Sequence, residues 1–118
     1  MTFQPPVEIE NVLRTDGQVR FGYAAGSIIF NWEINGSELR IDGGPARGQH
    51  RPGAGALPTN KQVTIRQVVR EDLMTVWVEG RERARWSARF SSVKEPIRIW
   101  PVFGSTLQIK HVLVKKLR

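Results

Sequence analysis

Alternating apolar and polar residues dominate the chain between residues 61 and 80, in the stretch KQVTIRQVVREDLMTVWVEG. Successive side chains of a β-strand point to opposite faces, so this alternation predicts two strands joined as a hairpin at the charged residues 70–72. The apolar face of the hairpin consists of Val63, Ile65, Met74, Val76 and Val78. A strand pair with one apolar face needs a second layer, so the rest of the chain must supply an opposing sheet.

Shorter runs of the same kind lie on both sides of the hairpin. Before it, the pattern predicts strands around residues 7–13, 19–23, 28–34 and 39–41, with Asn35-Gly36 as a two-residue turn. After it, the pattern predicts an edge strand at 81–90, a strand at 96–100, and a closing strand at 107–114 with a bulge near His111. These elements predict an all-β, antiparallel two-sheet β-sandwich of about 8 to 10 strands with no substantial helix.

The alternation stops between residues 42 and 60, in DGGPARGQHRPGAGALPTN, which contains five Gly and three Pro. Loops of this length are uncommon inside a compact domain and are usually functional or mobile. A domain linker is the alternative, but neither flank has enough strands to close a core alone. We therefore expect a single β-sandwich domain over residues 1–118 with a long Gly/Pro-rich loop at 42–60.

Composition places the chain among globular proteins, with 40% hydrophobic and 25% charged residues. The absence of cysteine excludes disulfides, thiolate metal sites and a cysteine nucleophile. No apolar run is long enough for a membrane helix, and the first residues lack the pattern of a signal peptide. We expect a soluble chain, and its compartment is unknown.

Basic residues are concentrated after residue 42. Residues 1–42 carry three Arg against six acids, whereas residues 43–118 carry fifteen Lys and Arg against five acids, and the whole chain has a net charge of +7. This balance allows nucleic acid, an anionic glycan or an acidic protein surface as a partner. A solubilising surface is the favoured explanation of the charge, and nucleic acid is an unlikely partner.

The hairpin motif VTIR…MTVWVEG is similar to a "v-x-i-x … v-x-v-x-V-D-G" hairpin, and PIRI with GSTLQIKHVLV is similar to a pair of closing strands. On these motifs the chain resembles the concanavalin A-like lectin/glucanase (laminin G-like, jelly-roll) superfamily. More narrowly, it resembles small uncharacterised bacterial domains related to the 3-keto-disaccharide hydrolase group. The resemblance covers residues 61–117 best and implies a jelly-roll fold. Its motifs are structural, so they specify the fold and not the chemistry.

Motifs for catalysis and for metal binding are scarce. Glucanases of the resembled superfamily carry an E-x-D-x-x-E strand, which is absent here, and Glu33 and Glu38 merely flank the predicted turn. The chain has no Gly-x-Ser-x-Gly elbow, and neither of its histidines has a base-nucleophile spacing around it. Lectins of the superfamily often hold calcium, for which Asp42 and Asn60 at the ends of the long loop are weak candidates. We therefore expect a non-catalytic domain without cofactor or metal.

The polar side of the strands gives the candidate binding surface. If Trp32 faces the core with the other apolar positions, the outward set is Asn31, Glu33, Arg40, Arg66, Trp77, Arg98 and Trp100. An indole packs on the apolar C–H face of a sugar ring, and Arg, Asn and Glu bond its hydroxyls. This predicts a lectin-like, carbohydrate-binding module that uses Trp77, Trp100, Arg66 and Arg98, with Arg47, His50 and Arg51 at the loop rim.

The same aromatic face also suits other partners. Exposed tryptophans are typical of surfaces that meet another protein chain or a second copy in a homo-oligomer. Indoles beside guanidinium groups can also stack nucleic-acid bases and neutralise phosphates. A groove containing both Trp77 and Trp100 would favour sugar, whereas a flat apolar patch would favour protein.

Overall fold

The computed structural model describes residues 1–118 and contains nine β-strands and no helix, hence no helix that could cross a membrane. The strands are β1 (Val7–Thr15), β2 (Val19–Phe21), β3 (Ser27–Phe30), β4 (Arg40–Asp42), β5 (Gln62–Val69), β6 (Leu73–Val78), β7 (Arg81–Ser87), β8 (Ile99–Pro101) and β9 (Leu107–Lys116). They form a five-stranded sheet in the order β7-β6-β5-β1-β9 and a four-stranded sheet in the order β4-β3-β2-β8. Every strand pair is antiparallel, which confirms the predicted β-sandwich.

The core lies between the two sheets as one cluster of 25 buried residues. The predicted hairpin is β5 and β6, paired from Ile65 opposite Val78 to Val69 opposite Met74. Its five predicted core residues are all at most 3% exposed. Each such side chain contributes about 1.5–3 kcal/mol through removal from water, so this face of the hairpin is a major source of stability.

Two local predictions about the five-stranded sheet are also confirmed. The register of β1 against β9 shifts after the pair Val12–His111, because Leu13 then pairs with Ile109 and Lys110 is left over as a bulge. β7 is an edge strand that pairs with β6 alone. Its alternation buries Ala84 and Trp86 on the core side.

β3 ends at Phe30, four residues earlier than the alternation predicted. Asn31 has φ 56°, a left-handed conformation that asparagine adopts more readily than most residues. Its side chain fixes this geometry, since Nδ2 donates to the Gly17 carbonyl at 2.9 Å and Oδ1 accepts from the Leu57 amide at 2.8 Å. The left-handed residue turns the chain out of the sheet and ends the alternation.

The core position predicted for Trp32 is therefore wrong. Trp32 is half-buried outside the core cluster, and Ile34 is 75% exposed. The two-residue hairpin turn at Asn35-Gly36 is also absent, because these residues lie in a longer loop before β4. Within that loop, Asn35 Oδ1 accepts hydrogen bonds from the amide and the hydroxyl of Ser37.

The predicted long loop begins one residue later than expected, because Asp42 belongs to β4. Residues 43–60 form no strand of either sheet and close one lateral side of the sandwich, between β4 and β7. Trp86 Nε1 donates to the Gln49 carbonyl at 2.7 Å, and Arg83 Nη1 donates to the carbonyls of Ala54 and Ala56 at 2.8 Å. Ala46, Ala54 and Leu57 pack into the core cluster. Hydrogen bonds from β7 and packing against the core thus hold the long loop against the edge of β7.

Tyr23 makes the stability of the fold depend on pH in the alkaline range. Its side chain is buried and donates to the Phe3 carbonyl at 2.9 Å. Burial, with the nearby charge of Glu95, raises the pKa of Tyr23 from 10.0 to about 12. The folded state therefore favours the neutral phenol. The stability that Tyr23 contributes in this way is fully present below pH 10 and is lost as the pH rises through 12.

We expect the free energy of unfolding to fall by up to about 3 kcal/mol in total as the pH rises from well below 10 to above 12. Tyr23→Phe should remove most of this decline, at the cost of about 1 kcal/mol at neutral pH for the lost hydrogen bond. Urea unfolding of both proteins across the alkaline range measures the difference. Equal declines in the two proteins would show that Tyr23 is not the group responsible.

Candidate functional site

The predicted site residues do not share one surface. Trp77 and Arg66 lie on β6 and β5 of the five-stranded sheet, whereas Trp100 and Arg40 lie on β8 and β4 of the four-stranded sheet. The outer faces of a sandwich point in opposite directions, so Trp77 and Trp100 do not line one groove. The prediction failed because alternation separates inward from outward positions but does not say which sheet a strand joins.

A row of four residues crosses the outer face of the four-stranded sheet. Trp100 pairs with Arg20, Arg20 with Ile29, and Ile29 with Arg40. The residues on either side of Ile29 belong to the core cluster, so alternation points Ile29 and its row outward. Ile29 is nonetheless only 1% exposed, which shows that longer side chains cover the middle of this face.

Trp32 and Arg40 lie at one end of this row. The guanidinium carbon of Arg40 is 4.3 Å from the centre of the Trp32 ring, a cation–π distance. Arg40 Nε also donates to Asp42 Oδ2 at 2.9 Å. The guanidinium is thereby held between an indole and a carboxylate, and these three side chains are all partly exposed.

Glu33 belongs to a second polar chain on the same face. Gln18 Nε2 donates to Glu33 Oε2, and Arg20 Nε donates to Gln18 Oε1 at 2.7 Å. The hydrogen bond from Gln18, supported by the charges of Arg20 and Arg40, holds the pKa of Glu33 below its ordinary value of 4.5. Glu33 is therefore a fixed, ionised hydrogen-bond acceptor near neutral pH.

Removing the amide of Gln18 should return the pKa of Glu33 towards its ordinary value. The folded pKa is the lower one, so the contribution of Glu33 to stability is present above pH 4.5 and is lost as the pH falls through the folded pKa. In Gln18→Met the folded and unfolded pKa values of Glu33 should come closer together, so this pH-dependent contribution to stability should become smaller. An NMR titration of the Glu33 side-chain carboxyl carbon checks the shift. An unchanged midpoint in Gln18→Met would contradict the assigned cause.

Trp100 and Arg98 lie at the β8 end of the row. The guanidinium carbon of Arg98 is 5.6 Å from the Trp100 ring centre. A Cβ at Gly22 would come within 2.9 Å of both Arg98 Nη2 and Trp100 Cζ3. Both side chains therefore lie close against the backbone at Gly22, directly after β2, and a larger residue at this position would displace them.

Asn31 and the predicted rim residues have mostly structural partners. Both polar atoms of the Asn31 side chain bond to the backbone, which links β3 to the long loop. His50 Nδ1 accepts a hydrogen bond from the Ile41 amide at 3.0 Å, and Arg51 Nη2 donates to the Arg85 carbonyl at 3.0 Å. Among the three predicted rim residues, Arg47 is exposed, whereas His50 and Arg51 are half-buried.

Sequence reasoning missed Trp32, Gln18, Arg20 and Asp42. Trp32 was assigned to the core because the alternation was extended through Asn31. A usable signal was present, since an asparagine at the end of an apolar run favours the left-handed conformation that stops a strand. No sequence signal links Gln18 to Glu33, because their contact depends on how the two strands pair.

Arg66 and Trp77 form a similar pair on the opposite face of the sandwich. The guanidinium carbon of Arg66 is 4.2 Å from the Trp77 ring centre, and Arg66 Nη1 is 3.5 Å from Glu8 Oε1. They line a groove of about 210 Å³ together with Glu8, Val68, Arg70, Leu73, Thr75 and Leu117. Val68 and Thr75 are buried on this outer face, so long side chains beside them shield apolar surface.

The two weak candidates for calcium have other partners. The Asp42 carboxylate accepts a hydrogen bond from Arg40, and the backbone N–H of Asn60 donates to the Thr15 carbonyl at 2.8 Å. The structure contains no group of three or more His, Cys, Asp or Glu side chains placed to hold a metal ion.

Comparison with known proteins found a solved structure of similar fold. No family model and no curated protein matches the chain. Among solved structures, the galectin LEC-6 of Caenorhabditis elegans matches with a TM-score of 0.65 over 94% of this chain and 84% of the galectin chain. The fold is a jelly-roll β-sandwich. The sequence identity to the galectin is 14%, so the likeness extends to the fold and does not identify the ligand.

Proposed function

We propose that the chain is a non-catalytic, lectin-like module that binds a carbohydrate on the outer face of its four-stranded sheet. The observation that carries this proposal is the position of the Trp32 indole. It lies beside Arg40, which is already fixed by Asp42, and the ionised Glu33 belongs to the same face. An aromatic surface thus adjoins both donors and acceptors.

This arrangement suits a sugar ring chemically. One face of a pyranose carries C–H groups that pack against an indole, while its hydroxyls both donate and accept hydrogen bonds. Arg40 and Arg20 are donors only, and Glu33 and Asp42 are acceptors when ionised. Because the partners hold these groups in place before binding, little side-chain entropy is lost when a ligand arrives.

The lectin fold supports the proposal at the level of architecture. The narrower relation to bacterial domains of the 3-keto-disaccharide hydrolase group stays a prediction, and no activity is transferred from it. Trp77 and Arg66, which the sequence placed in the same site, lie on the opposite face. We therefore assign the sugar to the face of Trp32, Glu33 and Arg40, with Trp100 and Arg98 at its far end.

A glycan array tests this function, with an internal control for the face. The wild-type chain should bind a subset of immobilised saccharides, and Arg40→Ala should lose most of that signal. Arg66→Ala is the matched control, because it removes the same type of guanidinium from the opposite face. Retained binding in Arg40→Ala, or no binding of any saccharide by the wild type, would contradict the proposal.

A further inference from the structure

The two lateral sides of the sandwich differ in how the core is closed. Residues 42–60 cover the side between β4 and β7 through buried side chains and hydrogen bonds. On the other side, between β8 and β9, apolar side chains reach solvent. Ile109 is 45% exposed and Val112 is 38% exposed, although both line an apolar groove between the two sheets.

These side chains belong to an apolar groove of about 360 Å³, lined by Met1, Phe3, Pro96, Ile97, Ile99, Ile109, Val112 and Val114. Several of them, including Ile97, Ile99 and Val114, pack directly against the core cluster. The groove is therefore the uncovered edge of the core and not a separate surface patch. An exposed apolar groove that continues a core is typical of an interaction site.

β9 supplies the backbone side of this groove. It is the longest strand, with 10 residues, and it pairs with β1 alone. Its other edge leaves peptide N–H and C=O groups free to pair with an added strand. β8, opposite it in the four-stranded sheet, has only three residues and does not cover the groove. An extended segment could join β9 and place alternate side chains over the open core.

The charge of β9 and the residues after it indicates what kind of segment would bind there. Residues 107–118 contain Lys110, Lys115, Lys116 and Arg118 and no acidic residue. A second copy would bring the same four cations to this edge, and lysines on an edge strand oppose such pairing. An acidic strand would instead find complementary charge. We propose that β9 binds an extended segment of another protein in which apolar and acidic residues alternate.

The apolar residues of that segment would fill the groove beside Ile109 and Val112. Its acidic residues would face the exposed ammonium groups of Lys110 and Lys115. This site is separate from the proposed sugar face, because it lies at the β8–β9 edge and uses none of the residues around Trp32. The inference therefore stands or falls independently of the carbohydrate proposal.

Synthetic peptides about as long as β9 test the proposed binding of an acidic segment at this edge. A peptide of alternating Val and Glu should bind the full chain and shift amide signals of β9, and added salt should weaken it. A matched Val/Lys peptide should bind at least about tenfold more weakly. The double variant Lys110→Glu, Lys115→Glu should reverse this preference, and both positions are exposed, so the fold should tolerate the change.

Three results would overturn the inference. They are equal binding of the two peptides, amide shifts that avoid β9, and a dimer in light scattering that pairs through β9 and excludes the Val/Glu peptide. Val112→Asp should weaken binding of the Val/Glu peptide, because it places an unpaired charge beside the apolar side chains that fill the groove. Arg40→Ala should leave peptide binding unchanged, which separates this test from that of the sugar face.

Discussion

Trp86→Ala should lower the free energy of unfolding by about 3–5 kcal/mol. Trp86 is fully buried in the core cluster, so its removal leaves a large cavity. It also donates the hydrogen bond that ties Gln49, and with it the long loop, to β7. A domain of marginal stability would retain little folded population after such a loss.

Trp86→Phe separates the two contributions. Phenylalanine keeps most of the apolar volume but cannot donate to the Gln49 carbonyl, so its cost should be smaller than that of alanine. Faster amide hydrogen exchange in residues 42–60 should accompany both changes. Urea unfolding followed by circular dichroism measures the stabilities. A loss below about 1 kcal/mol for Trp86→Ala would contradict its assigned role.

Trp32→Ala should weaken binding of an array-selected saccharide by about 30-fold or more, equivalent to about 2 kcal/mol. The substitution removes the apolar surface on which the ring is proposed to pack and releases Arg40 from its cation–π contact. Because Trp32 lies outside the core cluster, the fold should survive the change. The expected loss is therefore one of affinity and not of folded protein.

Trp77→Ala is the matched control for this substitution. Its indole has nearly the same relation to an arginine, 4.2 Å against 4.3 Å, but on the opposite face of the sandwich. Saccharide affinity should stay within about twofold of wild type in this variant. Calorimetric titration of both variants gives the comparison. A larger loss of saccharide affinity in Trp77→Ala than in Trp32→Ala would show that the sugar binds on the five-stranded sheet instead.

The fold was predictable because its determinants are local. Alternation in residues 61–80 identified the hairpin and its buried face, and the slip of spacing near His111 identified the bulge in β9. These features depend on one strand and its immediate neighbour. The apolar periodicity of the strands was therefore sufficient to predict an architecture of two packed sheets.

The candidate site was less predictable because it depends on non-local pairing. Gln18 contacts Glu33 only because β2 pairs with β3, and Trp100 joins the same face because β8 returns beside β2. Trp32 reached the surface through the left-handed turn at Asn31, a single-residue event that interrupts a periodic pattern. Strand alternation carries no information about these partners.

The most direct test of the central claim uses the indole N–H signals of the four tryptophans, one from each of Trp32, Trp77, Trp86 and Trp100. A saccharide selected on the array is titrated into the wild-type chain, and the four signals are followed by NMR. Binding on the four-stranded face should shift the signal of Trp32 most and that of Trp100 to a smaller extent, while Trp77 and Trp86 stay in place. A shift of Trp77 with Trp32 unchanged would contradict the account.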